Sequence, residues 1–146
     1  MPEEYARLVA GLPLTGGCLC GAVRYEIDAP LVWAGYCHCT RCQRRTGTGS
    51  SANATVADGA LRVVAGAELV RDWRHPDGGA VKCFCGTCGG ALWSRHPETG
   101  EMSVRLGTID GDPGIRPSYH QFVDYAATWE AVADDALTRF PERRSS

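Results

Sequence analysis

Apolar and polar residues alternate with a period of two over several short stretches of this chain. Val23, Tyr25 and Ile27 alternate with Arg24 and Glu26, the pattern of a half-buried strand. Leu61/Val63, Met102/Val104/Leu106 and His120/Phe122 repeat that period, and Gly or Asp-Gly punctuates the intervals. Helical periodicity is confined to residues 3–10, where a short helix is expected to stop at Gly11 and Pro13. No linker, low-complexity tract or tandem repeat divides the sequence. The pattern predicts one mainly β domain with few or no long helices.

Composition adds limits. The 146 residues are enough for one domain with its own core. Apolar content is 44% and the formal charge is −2, so no strong field draws the whole molecule to nucleic acid or anionic lipid. No apolar run approaches the roughly 20 residues of a membrane span. The acidic start Met-Pro-Glu-Glu-Tyr lacks the order of a signal peptide. The expectation is a cytoplasmic protein with no membrane or nucleic-acid partner.

The chemistry lies in eight cysteines: Cys18/Cys20, Cys37/Cys39/Cys42 and Cys83/Cys85/Cys88. Disulfides usually join distant segments of exported proteins, and inert core thiols would be scattered among apolar residues. Three tight clusters point to metal. A tetrahedral zinc site needs sulfurs about 3.8 Å apart. The turn Cys85-Gly86-Thr87-Cys88 brings two thiols that close, with Gly89 placed to supply a positive φ. Cys18-Leu19-Cys20 can do the same if the strand bends, which Gly16, Gly17 and Gly21 permit. Four ligands close a structural site, whereas three leave a position for water or substrate. Cys18, Cys20, Cys85 and Cys88 with Cys37, Cys39 and Cys42 is one such division, leaving Cys83 over. Spacing equally allows Cys37/Cys39 with Cys85/Cys88, or one zinc with spare thiols.

The segment Gly17-Cys18-Leu19-Cys20-Gly21-Ala22-Val23-Arg24-Tyr25 resembles the opening signature of the glutathione-dependent formaldehyde-activating (GFA) family. Cys37-His38-Cys39-Thr40-Arg41-Cys42 through Gly47 resembles its second motif, and Phe84-Cys85-Gly86-Thr87-Cys88-Gly89 its third. Leu106-Gly107-Thr108-Ile109-Asp110 and the run from Pro117 to Trp129 follow its C-terminal pattern. The likeness spans about residues 15–140, which gives a domain at 15–140, an extension at 1–14 and a tail at 141–146. It implies a zinc-stapled β-tent fold of short antiparallel strands, shared with centromere protein V, and two zinc ions. It also implies the four-plus-three division, with Cys18, Cys20, Cys85 and Cys88 structural and Cys37, Cys39 and Cys42 open. Members are described as joining formaldehyde to glutathione to give S-hydroxymethylglutathione, formally a carbon–sulfur lyase. Two positions depart from the pattern: no aromatic residue follows Gly47 closely, and Cys83 stands where a basic residue is common.

Three thiolates leave a zinc site with a formal charge of −1, a poor generator of hydroxide but a good host for a thiol. A small thiol such as glutathione and a small aldehyde are the partners that chemistry suits. Arg41, Arg44 and Arg45 flank the open site in sequence, and arginine forks bind carboxylates well. Singly, each also fits a solvated surface. His38 should point away from Cys37 and Cys39 into packing, His120 reads as structural, and His75 and His96 as loop residues. Two rivals remain. A nucleic-acid-binding zinc ribbon is opposed by the charge and by the absence of an aromatic-plus-basic stripe. A non-catalytic zinc scaffold for a protein partner is compatible with kinship to centromere protein V.

Overall fold

The computed structural model describes residues 2–145. Glu3 and Glu4 open helix α1 (Glu3–Ala10) and Arg7 lies in its last turn, charges that complement the helix dipole. The strands that follow are β1 (Leu14–Gly17), β2 (Arg24–Ile27) and β3 (Ala34–Cys37). After helix α2 (Thr40–Thr46) come β4 (Ser51–Val56), β5 (Leu61–Ala65), β6 (Val70–Trp73), β7 (Val81–Cys85), β8 (Ala91–Arg95) and β9 (Met102–Arg105). Two short strands, β10 (Tyr119–Gln121) and β11 (Thr138–Arg139), complete the set.

These strands form two sheets. One is three-stranded in the order β1-β2-β5, and the other is eight-stranded in the order β11-β10-β3-β4-β9-β8-β7-β6. The mainly β expectation holds, with one difference. Strand β10 runs parallel to both β3 and β11, because the irregular stretch after β9 carries the chain back across the sheet before it pairs. The period of two also ends early in two places. Leu106 opens a 3₁₀ turn, and Phe122 takes φ 57°, donating its N–H to the Glu142 carbonyl at 2.9 Å.

Alternation divides the large sheet into two faces. Cross-strand partners Ala34, Ala54, Val104, Trp93 and Cys83 line one face and are buried. The small sheet covers that face through Val23, Tyr25 and Ile27, all fully buried. Tyr25 meets the Trp93 ring edge-to-face at 5.9 Å, an arrangement worth about 0.5–1.5 kcal/mol beyond area burial. Its hydroxyl pairs with Thr108 Oγ1 at 2.6 Å, so the polar atom that Tyr25 carries into the core is satisfied. The other face carries Gly35, Asn53, Ser103, Arg105, Ser94 and Lys82 at the alternate register positions. It forms the floor of a cleft.

Gly35 fixes how that cleft is closed at one side. A Cβ there would collide with the Tyr119 ring, which lies flat on the strand. Gly35→Ala is therefore expected to destabilise the fold by about 1–3 kcal/mol through overpacking. Thermal unfolding checks this, and Gly35→Ala with Tyr119→Ala should cost less than the sum of the two. Gly35→Ala melting with the wild type would refute the tight approach.

Candidate metal centres

Cys18 and Cys20 sit in the turn between β1 and β2. Gly21, at φ 80°, closes that turn, and its N–H donates to the Cys18 carbonyl at 3.1 Å. Cys85 ends β7, and Gly89, at φ 75°, lets the chain turn so that its N–H donates to the Cys85 carbonyl at 2.8 Å. Backbone N–H groups also face the sulfurs: Val23 N lies 3.3 Å from Cys18 Sγ and Thr87 N lies 3.4 Å from Cys85 Sγ. The two turns come from different sheets and meet.

Cys18 Sγ is 3.6 Å from Cys20 Sγ, and Cys20 Sγ is 3.9 Å from Cys85 Sγ. All four sulfurs, with Cys88, lie within 4.8 Å of one another. A disulfide requires about 2.05 Å, whereas a tetrahedral zinc at about 2.3 Å from each sulfur sets them about 3.8 Å apart. The cluster fits a metal ion. Crowding makes the thiols share charge unequally. Burial alone would raise Cys18, but the Val23 N–H and the neighbouring thiols bring it down to about 6. The Ala22 N–H favours a thiolate on Cys20, yet Cys18 and Cys88 push that thiol up to about 11.

The second cluster is built at the junction of β3 and α2. Cys37 ends the strand, Cys39 caps the helix by accepting the Cys42 N–H at 3.4 Å, and Cys42 lies in the first turn. Their sulfurs also lie within 4.8 Å of one another. Bonds from the Cys37 and Cys39 thiols hold Cys42 far below the ordinary thiol range, with Arg45 assisting, while Cys37 is pushed up. Among the described residues Cys83 belongs to neither cluster and is buried. Burial raises its thiol.

His38 stands apart from the sulfurs. Its Nε2 pairs with His120 Nδ1 at 2.8 Å, and His120 Nε2 pairs with Asp135 at 2.8 Å. Both rings are buried, and Tyr36 stacks on His120 at 5.0 Å. The pair ties β3 to β10 and to the segment beyond it. His75 and His96 lie in loops.

Cys37, Cys39 and Cys42 open onto a cleft of about 650 Å³ whose floor is the polar face of the large sheet. Its basic side chains are Arg41, Lys82, Arg105, Arg143 and Arg144, with His96 beside them and Glu101 as the one carboxylate. Of the three arginines expected from sequence, Arg41 reaches this cleft and donates to the Gly78 carbonyl at 2.6 Å. All three also line an adjoining cleft of about 750 Å³, with Trp73, His75, Cys83 and Phe84. Arg44 and Arg45 border only that one. Arg45 Nε and Nη2 and Arg105 Nε are buried without a hydrogen-bond partner.

Arg105, Lys82 and the polar floor were not singled out by the sequence reading. Their signal was the polar half of the alternation in β4, β7, β8 and β9, opposite the apolar residues that mark the core. Arg105 donates from Nη1 to Asn53 at 2.6 Å and from Nη2 to Ser94. Burial lowers its guanidinium to about 10, with Arg45 repelling it and Cys42 opposing the shift. It remains a cation at neutral pH. Among the described residues, no helix is long and apolar enough to cross a membrane.

Comparison with known proteins places these features in a family. The profile described as "Glutathione-dependent formaldehyde-activating enzyme" matches residues 13–125. A Halomonas elongata protein, provisionally named a glutathione-dependent formaldehyde-activating enzyme, is 32% identical over 126 residues, covering 82% of this chain and 80% of its own. The crystal structure of a Rhodobacter sphaeroides protein, a structural-genomics target, is similar at a TM-score of 0.58 and 26% identity. That likeness covers 86% of this chain and 98% of the other.

Proposed function

The chain belongs to the glutathione-dependent formaldehyde-activating family, and on that footing we propose that it joins a small aldehyde to a small anionic thiol, formaldehyde and glutathione being the reference pair. The observation that carries this reading is the three-sulfur cluster opening onto a cleft with five basic side chains and one carboxylate. Cys18, Cys20, Cys85 and Cys88 would hold a structural zinc, four thiolates being the donor set of a closed site. Cys37, Cys39 and Cys42 would hold a second zinc beside the cleft. When bound there, the metal supplies acidification of a coordinating thiol, keeping its sulfur nucleophilic at neutral pH.

The chain's own residues do the remainder. Arg41, Lys82 and Arg105 draw the carboxylates of the thiol into the cleft and fix its orientation. Arg44 and Arg45 add positive potential from the adjoining cleft, consistent with the influence of Arg45 on Lys82 and Arg105. The thiol gives up its proton, its sulfur bonds to the aldehyde carbon, and the former carbonyl oxygen takes a proton to become the hydroxyl of the hydroxymethyl thioether. Formally this is the reverse of a carbon–sulfur lyase reaction. Ser94, Ser103 and Asn53 on the floor offer hydrogen bonds to that oxygen, beside the cationic Arg105 and Lys82.

Cobalt substitution tests the reading. Adding glutathione to the cobalt protein should introduce a sulfur-to-metal transition in the visible spectrum. Cys83→Ser should leave the change intact, because Cys83 lies in neither cluster. The zinc protein should consume formaldehyde faster than buffer containing glutathione alone. Spectra that ignore every small thiol would favour a non-catalytic zinc scaffold for a protein partner.

A further inference from the structure

The family match ends at residue 125, yet the cleft in front of the three sulfurs does not. Two of its five basic residues, Arg143 and Arg144, come from the segment that follows β11. That segment is fastened along its length. The Phe122 N–H donates to the Glu142 carbonyl at 2.9 Å, and the Arg144 N–H donates to Gln121 Oε1 at 2.9 Å. The Arg144 guanidinium lies over the Trp33 ring at 4.5 Å and the Tyr119 ring at 5.3 Å. Tyr119 in turn rests on Gly35, where a side chain would displace it.

This is a constructed mount. Stacking against two rings fixes the plane of a guanidinium while leaving its edge donors unspent. Among the described residues, neither Arg143 nor Arg144 has a side-chain hydrogen bond or an ion pair. Two cations beside a cleft that already contains Arg41, Lys82 and Arg105 repel one another, a cost that an anionic ligand reverses.

Resting on the reading of the cleft as a thiol site, we propose that Arg143 and Arg144 form its specificity wall, recognising a carboxylate of the incoming thiol. Arg144 is positioned by the Gly35–Tyr119–Trp33 bed, and Arg143 is carried beside it on the same fastened segment. They lie outside the family-matched region, so they set which acidic thiol this chain prefers rather than the chemistry it performs.

The test compares the zinc-loaded wild type with Arg143→Gln and with Arg143→Gln/Arg144→Gln. Calorimetry is run with S-methylglutathione, which keeps both carboxylates but has no free thiol, and with glutathione diethyl ester, which keeps the thiol and lacks both carboxylates. Circular dichroism checks the fold, and Arg143→Gln leaves the ring contacts of Arg144 in place. The double variant should bind S-methylglutathione at least about tenfold more weakly, since a charge-assisted bond is lost, and with less salt dependence. Its affinity for the diester should not change. Equal affinity of wild type and double variant for S-methylglutathione overturns the proposal, whatever the thiol does. So does a wild type that binds no carboxylate ligand. If S-methylglutathione binding depends on the two arginines while cobalt spectra show no thiol coordination, the specificity wall stands and the thiol reading falls.

Discussion

Cys20→Ala is expected to leave the protein unfolded at temperatures where the wild type is native, even though the Cys20 side chain is exposed. An ordinary exposed substitution changes stability by no more than about 0.5 kcal/mol. A structural zinc site contributes on the order of 10 kcal/mol. The choice of cysteine matters. Cys85 is fully buried in the core, so losing its side chain would destabilise the fold with or without metal. Cys20 has little packing to lose. Metal analysis should show the loss of at least one equivalent of zinc, and circular dichroism should show loss of strand signal. A folded Cys20→Ala chain with two zinc ions would remove the structural role from this cluster.

Cys39→Ala should have the opposite profile: a folded chain with one zinc, and formaldehyde consumption reduced to the uncatalysed background. Apart from its sulfur's place in the cluster, Cys39 contributes an N-cap bond to α2, worth about 1 kcal/mol. A two-sulfur remnant holds zinc far more weakly than three sulfurs. The glutathione-induced change in the cobalt spectrum should vanish with the metal. Unfolding together with Cys20→Ala would mean that the two clusters do not divide the labour.

The alternation of Val23, Tyr25 and Ile27 marked β2 and the core because side chains on a strand must choose a face. The C-x-C and C-x-x-C spacings marked the cysteines as metal ligands, since ligand geometry demands thiols brought close, but only the family resemblance gave their division into four and three. Helix α2 was not legible. Its seven residues contain no apolar stripe, and its cap is a cysteine rather than the usual Ser, Thr, Asp or Asn. The parallel pairing of β10 was hidden because three-residue strands carry no register signal of their own. The arginines were found only in part. Sequence neighbours on a short helix diverge in space, so Arg44 and Arg45 face a different cleft from the sulfurs. Lys82, Arg105 and Arg144 converge on the sulfurs from strands and a tail that only the folded sheet brings together.

The meeting of the β1–β2 turn with the β7–β8 turn has a consequence for the chain as it is being made. Residues up to 65 complete the small sheet, whereas Trp93 and Val104, which cover its apolar face, are synthesised later. At about 5–20 residues per second, Val23, Tyr25 and Ile27 wait uncovered on the nascent chain for roughly 2–8 seconds. Cys18 and Cys20 wait longer, roughly 3–14 seconds, for Cys85 and Cys88. Metal capture therefore closes the molecule after more than half of it has left the ribosome, and the bare face of β2 is open to other nascent chains until then. On the proposed zinc reading, cellular zinc supply should limit the yield of folded protein, since a chain that finishes without the ion lacks the staple that holds the two turns together.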